Sequence, residues 1–378
     1  MRVCAVVSEF NPFHNGHKYL LSQIKDKGYD AVICVMSGSF VQRGEYSVCD
    51  KKIRAEMAVD SGADLVISIP FPWASAGAEL FARGALSVLD GLGCVDAIAF
   101  GSETARKEML CQCADFLSSL TPADIKSVQK DSPKLSYAQA RQILAEASLG
   151  KEMASLLENP NDILAIEYIK AIKYLNSDID VVPIKREYAS HNGDVTCGSY
   201  CSSSHLRELV ESGKFEEIDS FVPWDVDILR NNIKSVDKQL YFNFLRGAIL
   251  SREPNELSLF AENGGGLEYA FYREMLTSDS LDSFFDKIRS RHLTDAKIRR
   301  AALFTALGIK KTVFNELPGY TEVLALNDVG KEVLSACRKN ARITVLSKTA
   351  NIKNAPDNVK EQFKLQRKSE MAFETLLK

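Results

Sequence analysis

Five apolar residues, Val3 to Val7, run into the turn Asn11-Pro12 and then into His14-Asn15-Gly16-His17, where a helical pattern begins. A buried strand that passes through a short loop to His-x-Gly-His at a helix start is how one nucleotide-binding architecture grips ATP. A helix N-terminus offers unpaired N–H groups and positive dipole density to an anion. Two imidazoles one turn apart add donors aimed at the same phosphates, and Gly16 removes a side chain that would block the nucleotide. The plainer alternative is a polar surface turn with both histidines solvated. The strand before and the helix after disfavour it.

The same alternation continues along the first half. Ala31 to Met36, Leu65 to Ile69, Val95 to Phe100 and Val181 to Ile184 are nearly continuous apolar runs bounded by Gly, Asp or Pro, the pattern of strands buried on both faces. Helical patterns lie between them at 17–27, 51–61, 76–92 and 104–120, and a long helical insertion from about Pro133 to Leu175 precedes the fifth strand. This spacing predicts an α/β fold with a doubly wound parallel sheet and right-handed crossovers. Ligands of such sheets bind beyond the C-terminal strand ends. That places Ser8 to His14, Ser37-Gly38-Ser39 with Gln42-Arg43-Gly44, Pro70-Phe71-Pro72, Gly101-Ser102-Glu103 and Lys185-Arg186-Glu187 around one cleft.

After Pro223-Trp224 the strand signal fades, and helical patterns follow at 237–250, 266–277, 280–291, 295–307 and 362–377. A chain of 378 residues exceeds a single core and should hold about two or three domains. We therefore expect a catalytic domain over residues 1–220 and an α-helical domain over 221–378. The net charge of −3 does not advertise nucleic-acid binding by the whole molecule, so any such surface is a local patch. Arg289, Arg291, Lys297, Arg299, Arg300, Lys310 and Lys311, with Asp295 among them, are the candidate patch for RNA phosphates. A solvated helix face is the alternative. No apolar run is long enough for a membrane span and no signal peptide is evident, so a cytoplasmic protein is expected. The nine cysteines have no repeating spacing, which suits reduced, buried thiols better than a disulfide framework. Cys197, Cys201 and His205 recur every four residues but lack a CxxC pair, so no metal held by protein side chains is expected.

Four segments together resemble bacterial tRNA(Met) cytidine acetate ligases: Glu9-Phe10-Asn11-Pro12-Phe13-His14-Asn15-Gly16-His17, Met36-Ser37-Gly38 with Gln42-Arg43-Gly44-Glu45, Phe100-Gly101-Ser102-Glu103, and Asn159-Pro160-Asn161. The resemblance covers essentially the whole chain, strongly to about residue 207. The block around Gln42 is more selective than HxGH, which many nucleotidyltransferases share. It implies a HUP or Rossmann-like nucleotidyltransferase domain and an ATP-dependent ligase. Such an enzyme activates acetate as acetyl-adenylate and passes the acetyl group to the N4 amine of the wobble cytidine of elongator tRNA(Met), releasing AMP and pyrophosphate. Its partners would be that tRNA, acetate and ATP with Mg²⁺, and no obligatory protein partner is expected.

Carried over residue by residue, the resemblance implies ATP contacts at Val7, Ser8, Glu9, Phe10, Asn11, Pro12, Phe13, His14, Asn15, Gly16, His17, Lys18, Tyr19 and Leu20, and at Gly101, Asn161, Arg186 and Glu187. His14 and His17 would be the catalytic pair. Each later position also has a simpler reading: Gly101 as a tight strand exit, Asn161 as a helix cap, Arg186 as a solvated charge. Ser202, Ser203 and Arg207 occupy the place of a Ser/Thr-rich helix start that binds β and γ phosphates in this superfamily. Ser204 replaces the usual Thr there, and His205 an acidic or basic residue. Asp162 stands where the family commonly has a second Asn, and Glu322 where a basic residue is expected. Gln42, Arg43, Lys51 and Arg54 on the cleft side, with Arg299 and Arg300, are the candidates for meeting tRNA or acetate. An adenylyl- or cytidylyltransferase acting on a small phosphorylated metabolite would use the same grip without needing the basic helical domain. A non-catalytic RNA-binding protein could also retain the fold. No KMSKS-like loop supports an aminoacyl-tRNA synthetase.

Overall fold

The computed structural model describes residues 1–131, 135–186, 196–290 and 293–378. The central sheet contains β1 (Val3–Ser8), β2 (Ala31–Met36), β3 (Leu65–Ser68), β4 (Ala97–Ser102) and β5 (Asp180–Lys185), arranged 5-4-1-2-3 and parallel throughout. The chain winds outward from β1 to β3, then crosses back to place β4 on the other side of β1. That reversal opens a crevice between the C-terminal ends of β1 and β4, where the HxGH loop begins. Every residue of β2 and β3 is buried, as their unbroken apolar runs require.

Successive strand residues point to opposite faces, and each face has its own cover. Ala5, Ile33, Val35, Leu65 and Ile67 pack with Phe81, Ala85 and Leu89 of helix Ala78–Leu92 and Ile166 and Ile169 of helix Pro160–Leu175. Cys4, Val6, Val32, Cys34 and Val66 pack with Leu21 and Ile24 of helix Asn15–Asp26, Ala55 and Ala58 of helix Lys51–Asp60, and Leu206 and Leu209 of helix Ser203–Glu211. A small antiparallel pair, β6 (Thr196–Cys197) and β7 (Tyr200–Cys201), leads into the last of these helices.

Helices Lys238–Leu250, Leu267–Thr277, Leu281–Ile288 and Asp295–Ala306 enclose a second core of Phe242, Leu245, Phe271, Phe284 and Phe304. Phe40 and Phe71, from the loops after β2 and β3, are part of it, so the helical layer sits on the ligand-binding end of the sheet.

The expectation of helix alone beyond residue 221 is corrected. β8 (Tyr320–Leu326) pairs antiparallel with β3, and β9 (Thr344–Leu346) pairs parallel with β8, extending the sheet to seven strands. The open edge of β3 is the physical reason, because its backbone groups need partners that only a distant strand supplies. Thr321 Oγ1 donates to the Ser68 carbonyl at 2.7 Å, and Ser68 Oγ accepts from Glu322 N–H at 2.9 Å. Helix Asp328–Asn340 then covers the sheet, where a side chain at Gly330 would collide with the Asp64 carbonyl oxygen. The expectation of thiols throughout is corrected at one pair: Cys94 and Cys337, 243 residues apart, form a disulfide with Cα atoms 5.4 Å apart.

Candidate active site

A cavity of about 530 Å³ lies at the crevice, lined by the ends of β1, β4 and β5 and by three helix N-termini, those of Asn15–Asp26, Pro160–Leu175 and Ser203–Glu211. From the Val7 to Leu20 segment, Val7, Ser8, Glu9, His14, Gly16, His17, Tyr19 and Leu20 line it. Phe10, Asn11, Pro12, Phe13, Asn15 and Lys18 lie outside the lining, and four of them support the loop. Phe10, at φ 46°, and Phe13 are buried in the apolar layer below. Asn11 Oδ1 accepts from Val48 N–H at 2.8 Å. Asn15 Nδ2 donates to the carbonyls of Ser199 at 2.9 Å and Ser220 at 3.1 Å, and Trp224 Nε1 donates to the Phe13 carbonyl at 3.0 Å.

His14 is the N-cap of the helix, and the two imidazoles form a capping box. Gly16 N–H donates to His14 Nδ1 at 3.1 Å, and His14 N–H donates to His17 Nδ1 at 3.2 Å. Because each Nδ1 accepts a backbone N–H, each ring carries its proton on Nε2. The rings stack with centroids 3.8 Å apart, and His14 Nε2 lies 3.0 Å from Ser203 Oγ on the facing helix start. A Cβ at Gly16 would come within 2.9 Å of the His14 ring, so the glycine makes room for the imidazole as well as for any ligand.

Burial, with the Arg186 charge nearby, pushes His14 down to about 3, and burial, His14 and Arg186 hold His17 well below the usual histidine range. Both are therefore neutral donors. Their folded values lie below the unfolded one, so the unfolded chain takes up protons first; this stabilisation is present above about pH 6.5 and declines as pH falls toward the folded values. We expect the ring signals of both histidines to stay unprotonated from about pH 8 to about pH 5 in an NMR titration, while thermal stability falls below about pH 6.5. A titration step near 6.5 in either ring would refute the neutral pair.

Across the crevice, Gly101 faces Arg186, whose Cγ would lie 3.3 Å from a Cβ there. Arg186 Nη1 lies 3.5 Å from Asn161 Oδ1, and Asn161 Nδ2 donates to Glu103 Oε1 at 2.5 Å. Glu103 Oε2 also accepts from Asp162 N–H at 3.0 Å, satisfying the start of helix Pro160–Leu175. Asp162 is fully buried: it accepts from the Ser102 hydroxyl, from Glu103 N–H at 3.1 Å and from Asn159 Nδ2 at 3.0 Å, so it braces the loop after β4. Ser202 caps helix Ser203–Glu211 by accepting from His205 N–H at 3.2 Å. Ser202, Ser203, Arg207, Gly101, Asn161 and Arg186 all line the cavity. Glu187 lies outside the described residues, as does Arg291.

Four candidate tRNA or substrate residues are spent inside the protein. Arg54 is completely buried and donates to three backbone carbonyls: Glu9 at 2.5 Å, Gly38 at 2.6 Å and Cys49 at 3.3 Å. Lys51 is held between Glu322 at 2.9 Å and Glu370 at 2.5 Å. Arg300 pairs with Glu262 at 3.0 Å, and Arg299 pairs with Glu45 at 3.0 Å. Within the surrounding basic stretch Arg289 is paired with Asp286 and Asp295 at 2.9 Å each, while Lys310 and Lys311 are exposed. Folding supplies acids that the linear stretch lacks, so the patch is far less cationic than its sequence.

Arg299 and Arg300 instead fasten the helical layer to the loop after β2. Gly44, at φ +70°, lets that loop pass so close that a Cβ would be 2.7 Å from Arg300 N. Glu45 reaches from it to both Arg299 and, at 3.2 Å, Arg207. Arg43 is exposed and lines the cavity mouth; Gln42 is outside the lining, but its N–H donates to Glu9 Oε1 at 2.9 Å. Sequence reasoning assigned no role to Glu45, Glu103 or Tyr168, another cavity residue. The side-chain partners are at least 58 residues away for Glu103 and 162 for Glu45, so the motif segments that contain these two glutamates do not reveal what they hold.

The chain matches the HIGH Nucleotidyl Transferase family over residues 1–378. A tRNA(Met) cytidine acetate ligase from Caldanaerobacter subterraneus subsp. tengcongensis is 34% identical over 94% of this chain and 90% of its own. The protein of that name from Thermoanaerobacter sp. is 32% identical over 95% and 92%. The crystal structure of Thermotoga maritima TmcAL bound with α-thio ATP superposes with a TM-score of 0.88 at 29% identity, covering 99% of this chain and 94% of that one. Relatedness so nearly end to end takes in the helical layer as well as the HxGH sheet, and it places this chain in the tRNA(Met) cytidine acetate ligase family of HIGH nucleotidyl transferases.

Proposed function

We propose that this protein activates acetate with ATP to acetyl-adenylate and transfers the acetyl group to the N4 amine of the wobble cytidine of elongator tRNA(Met), releasing AMP and pyrophosphate. The observation that carries this reading is the pair of neutral Nε2–H imidazoles at a helix N-terminus, facing Lys185, Arg186, Arg207 and Arg43 across one cavity. Activation requires no protein nucleophile, because the acetate oxygen attacks the α-phosphorus and pyrophosphate leaves. The protein's task is to hold reactants in line and stabilise the charge that builds on phosphate. His14, His17 and the helix N–H groups suit the α-phosphate; Ser202, Ser203 and Arg207, at the start of helix Ser203–Glu211, suit the β and γ phosphates. Gly101, Asn161 and Arg186 suit the adenosine side, and Ser8 Oγ, buried without a hydrogen-bond partner among the described residues, suits a ligand. Mg²⁺ enters with the triphosphate as part of the substrate.

Cys201 is a cavity thiol that burial pushes up to about 12, which argues against an acyl-thioester route. The anticodon loop would approach at the Arg43 rim, since an unstacked loop base is reached at lower cost than one in a helix. The proposed work is cytoplasmic; no described helix is long and apolar enough to cross a membrane.

The test uses acetate carrying oxygen-18 in its carboxylate. One labelled oxygen should appear in AMP, because it becomes the bridge to the α-phosphorus and stays there when cytidine takes the acyl group, and the tRNA should gain one acetyl group by mass spectrometry. Label-free AMP, or a requirement for acetyl-CoA, would refute this route.

A further inference from the structure

The transfer half of the proposed reaction has a chemical demand that the phosphate grip does not meet. The N4 lone pair of cytosine is delocalised into the ring. As N4 bonds to the acetyl carbon, the acyl–oxygen bond to AMP breaks and its electron pair leaves on the phosphate oxygen. The nitrogen, now positive, must lose a proton, so the cavity needs an acceptor.

Most of its polar groups cannot serve. Arg43, Lys185, Arg186 and Arg207 are cations. Both histidines have Nδ1 occupied by a backbone N–H and the proton already on Nε2, and their surroundings disfavour a second proton. Burial keeps Tyr168 and Cys201 protonated. Among the described residues lining the cavity, Glu9 is the one carboxylate.

Its position suits the task. Glu9 follows β1 directly, beside Ser8 on the nucleotide side, and reaches the loop that carries Arg43 to the rim. Oε1 accepts from Gln42 N–H at 2.9 Å, which orients the carboxylate, while Oε2 has no hydrogen bond among the described residues. The charged and titratable groups facing it are Arg207 of helix Ser203–Glu211, Arg43 and Glu45 of the loop after β2, Arg54 of helix Lys51–Asp60, and Tyr168 of helix Pro160–Leu175. We infer that Glu9 is the catalytic base that accepts the proton shed by the cytidine N4 amine as it is acylated. This assignment rests on the acetyl-transfer reading above. Burial, opposed by Arg207, Gln42 N–H and Arg43, holds this carboxyl above the usual carboxylate range and makes it a stronger base than a surface glutamate.

The test supplies chemically prepared acetyl-adenylate and tRNA(Met) to the full-length protein and follows N4-acetylcytidine in a single turnover across pH, so that ATP activation is bypassed. Glu9→Gln keeps an oxygen for Gln42 N–H but cannot take a proton. It should transfer about 10²–10³-fold more slowly and lose the parental rise of rate with pH. Glu9→Asp, which keeps the carboxylate, should recover at least about tenfold of that loss. A Glu9→Gln protein as fast as the parent would overturn the assignment, leaving the proton to AMP or water. Slow transfer with the parental pH profile, or a Glu9→Asp protein no better than Glu9→Gln, would reduce Glu9 to a positioning residue. If the parent itself makes no acetylcytidine, the transfer reading falls, and this assignment with it.

Discussion

Replacing His17 by alanine is expected to slow acetate-dependent pyrophosphate release by about two to three orders of magnitude, with a modest loss of ATP affinity. The asymmetry follows from what the ring offers. Its Nε2–H is a neutral donor whose value rises only as negative charge accumulates on the α-phosphate, and a buried site with few competing waters magnifies that rise. The second function of the ring, accepting His14 N–H at 3.2 Å, is a capping contact worth about 1 kcal/mol, so the fold should survive its loss. The measurement is pyrophosphate release at saturating ATP beside a direct ATP-binding titration. Equal turnover of variant and parent would remove His17 from the chemistry. A loss confined to affinity would make it a ground-state contact.

Arg54→Met should destabilise the protein by about 3–5 kcal/mol, read as a lower thermal midpoint, rather than act as a selective defect in RNA binding. The guanidinium donates to the carbonyls of Glu9, Gly38 and Cys49; methionine would leave those of Glu9 and Gly38 without a partner among the described residues, and Cys49 with the Ser47 hydroxyl at 3.0 Å. Two of those carbonyls belong to the loops after β1 and β2, so the site should loosen with the fold. A variant with parental stability and weakened tRNA binding would restore the surface role suggested by its cationic side chain.

The same lesson applies to Lys51, Arg299 and Arg300. In sequence each is a charge near a cleft or in a basic stretch; in space each meets an acid from far along the chain: Glu322 and Glu370, Glu45, and Glu262. Periodicity reports which face of an element is apolar, but carries no information about which distant carboxylate a surface arginine will find. Gly16 illustrates a smaller error of the same kind. It was legible as a place where a side chain is intolerable, yet a close obstruction is the His14 ring, not a ligand alone.

Local chemistry determined the strand–loop–helix grip, because an apolar run, a turn and an N-cap act within about a dozen residues, while the braces on that loop from Val48, Ser199, Ser220 and Trp224 came only with the fold. It also determined the parallel sheet, since buried strands separated by amphipathic helices leave one favoured winding. Tertiary structure alone decided that residues 320–346 return to cap the exposed edge of β3, as that edge exists only after the sheet has formed. It likewise decided that Glu9 stands as the single carboxylate among the described residues lining a cavity of cations and neutral donors. Charge balance in a site is a sum over side chains gathered from β1, β5, two helix starts and the loop after β2, and folding performs that sum.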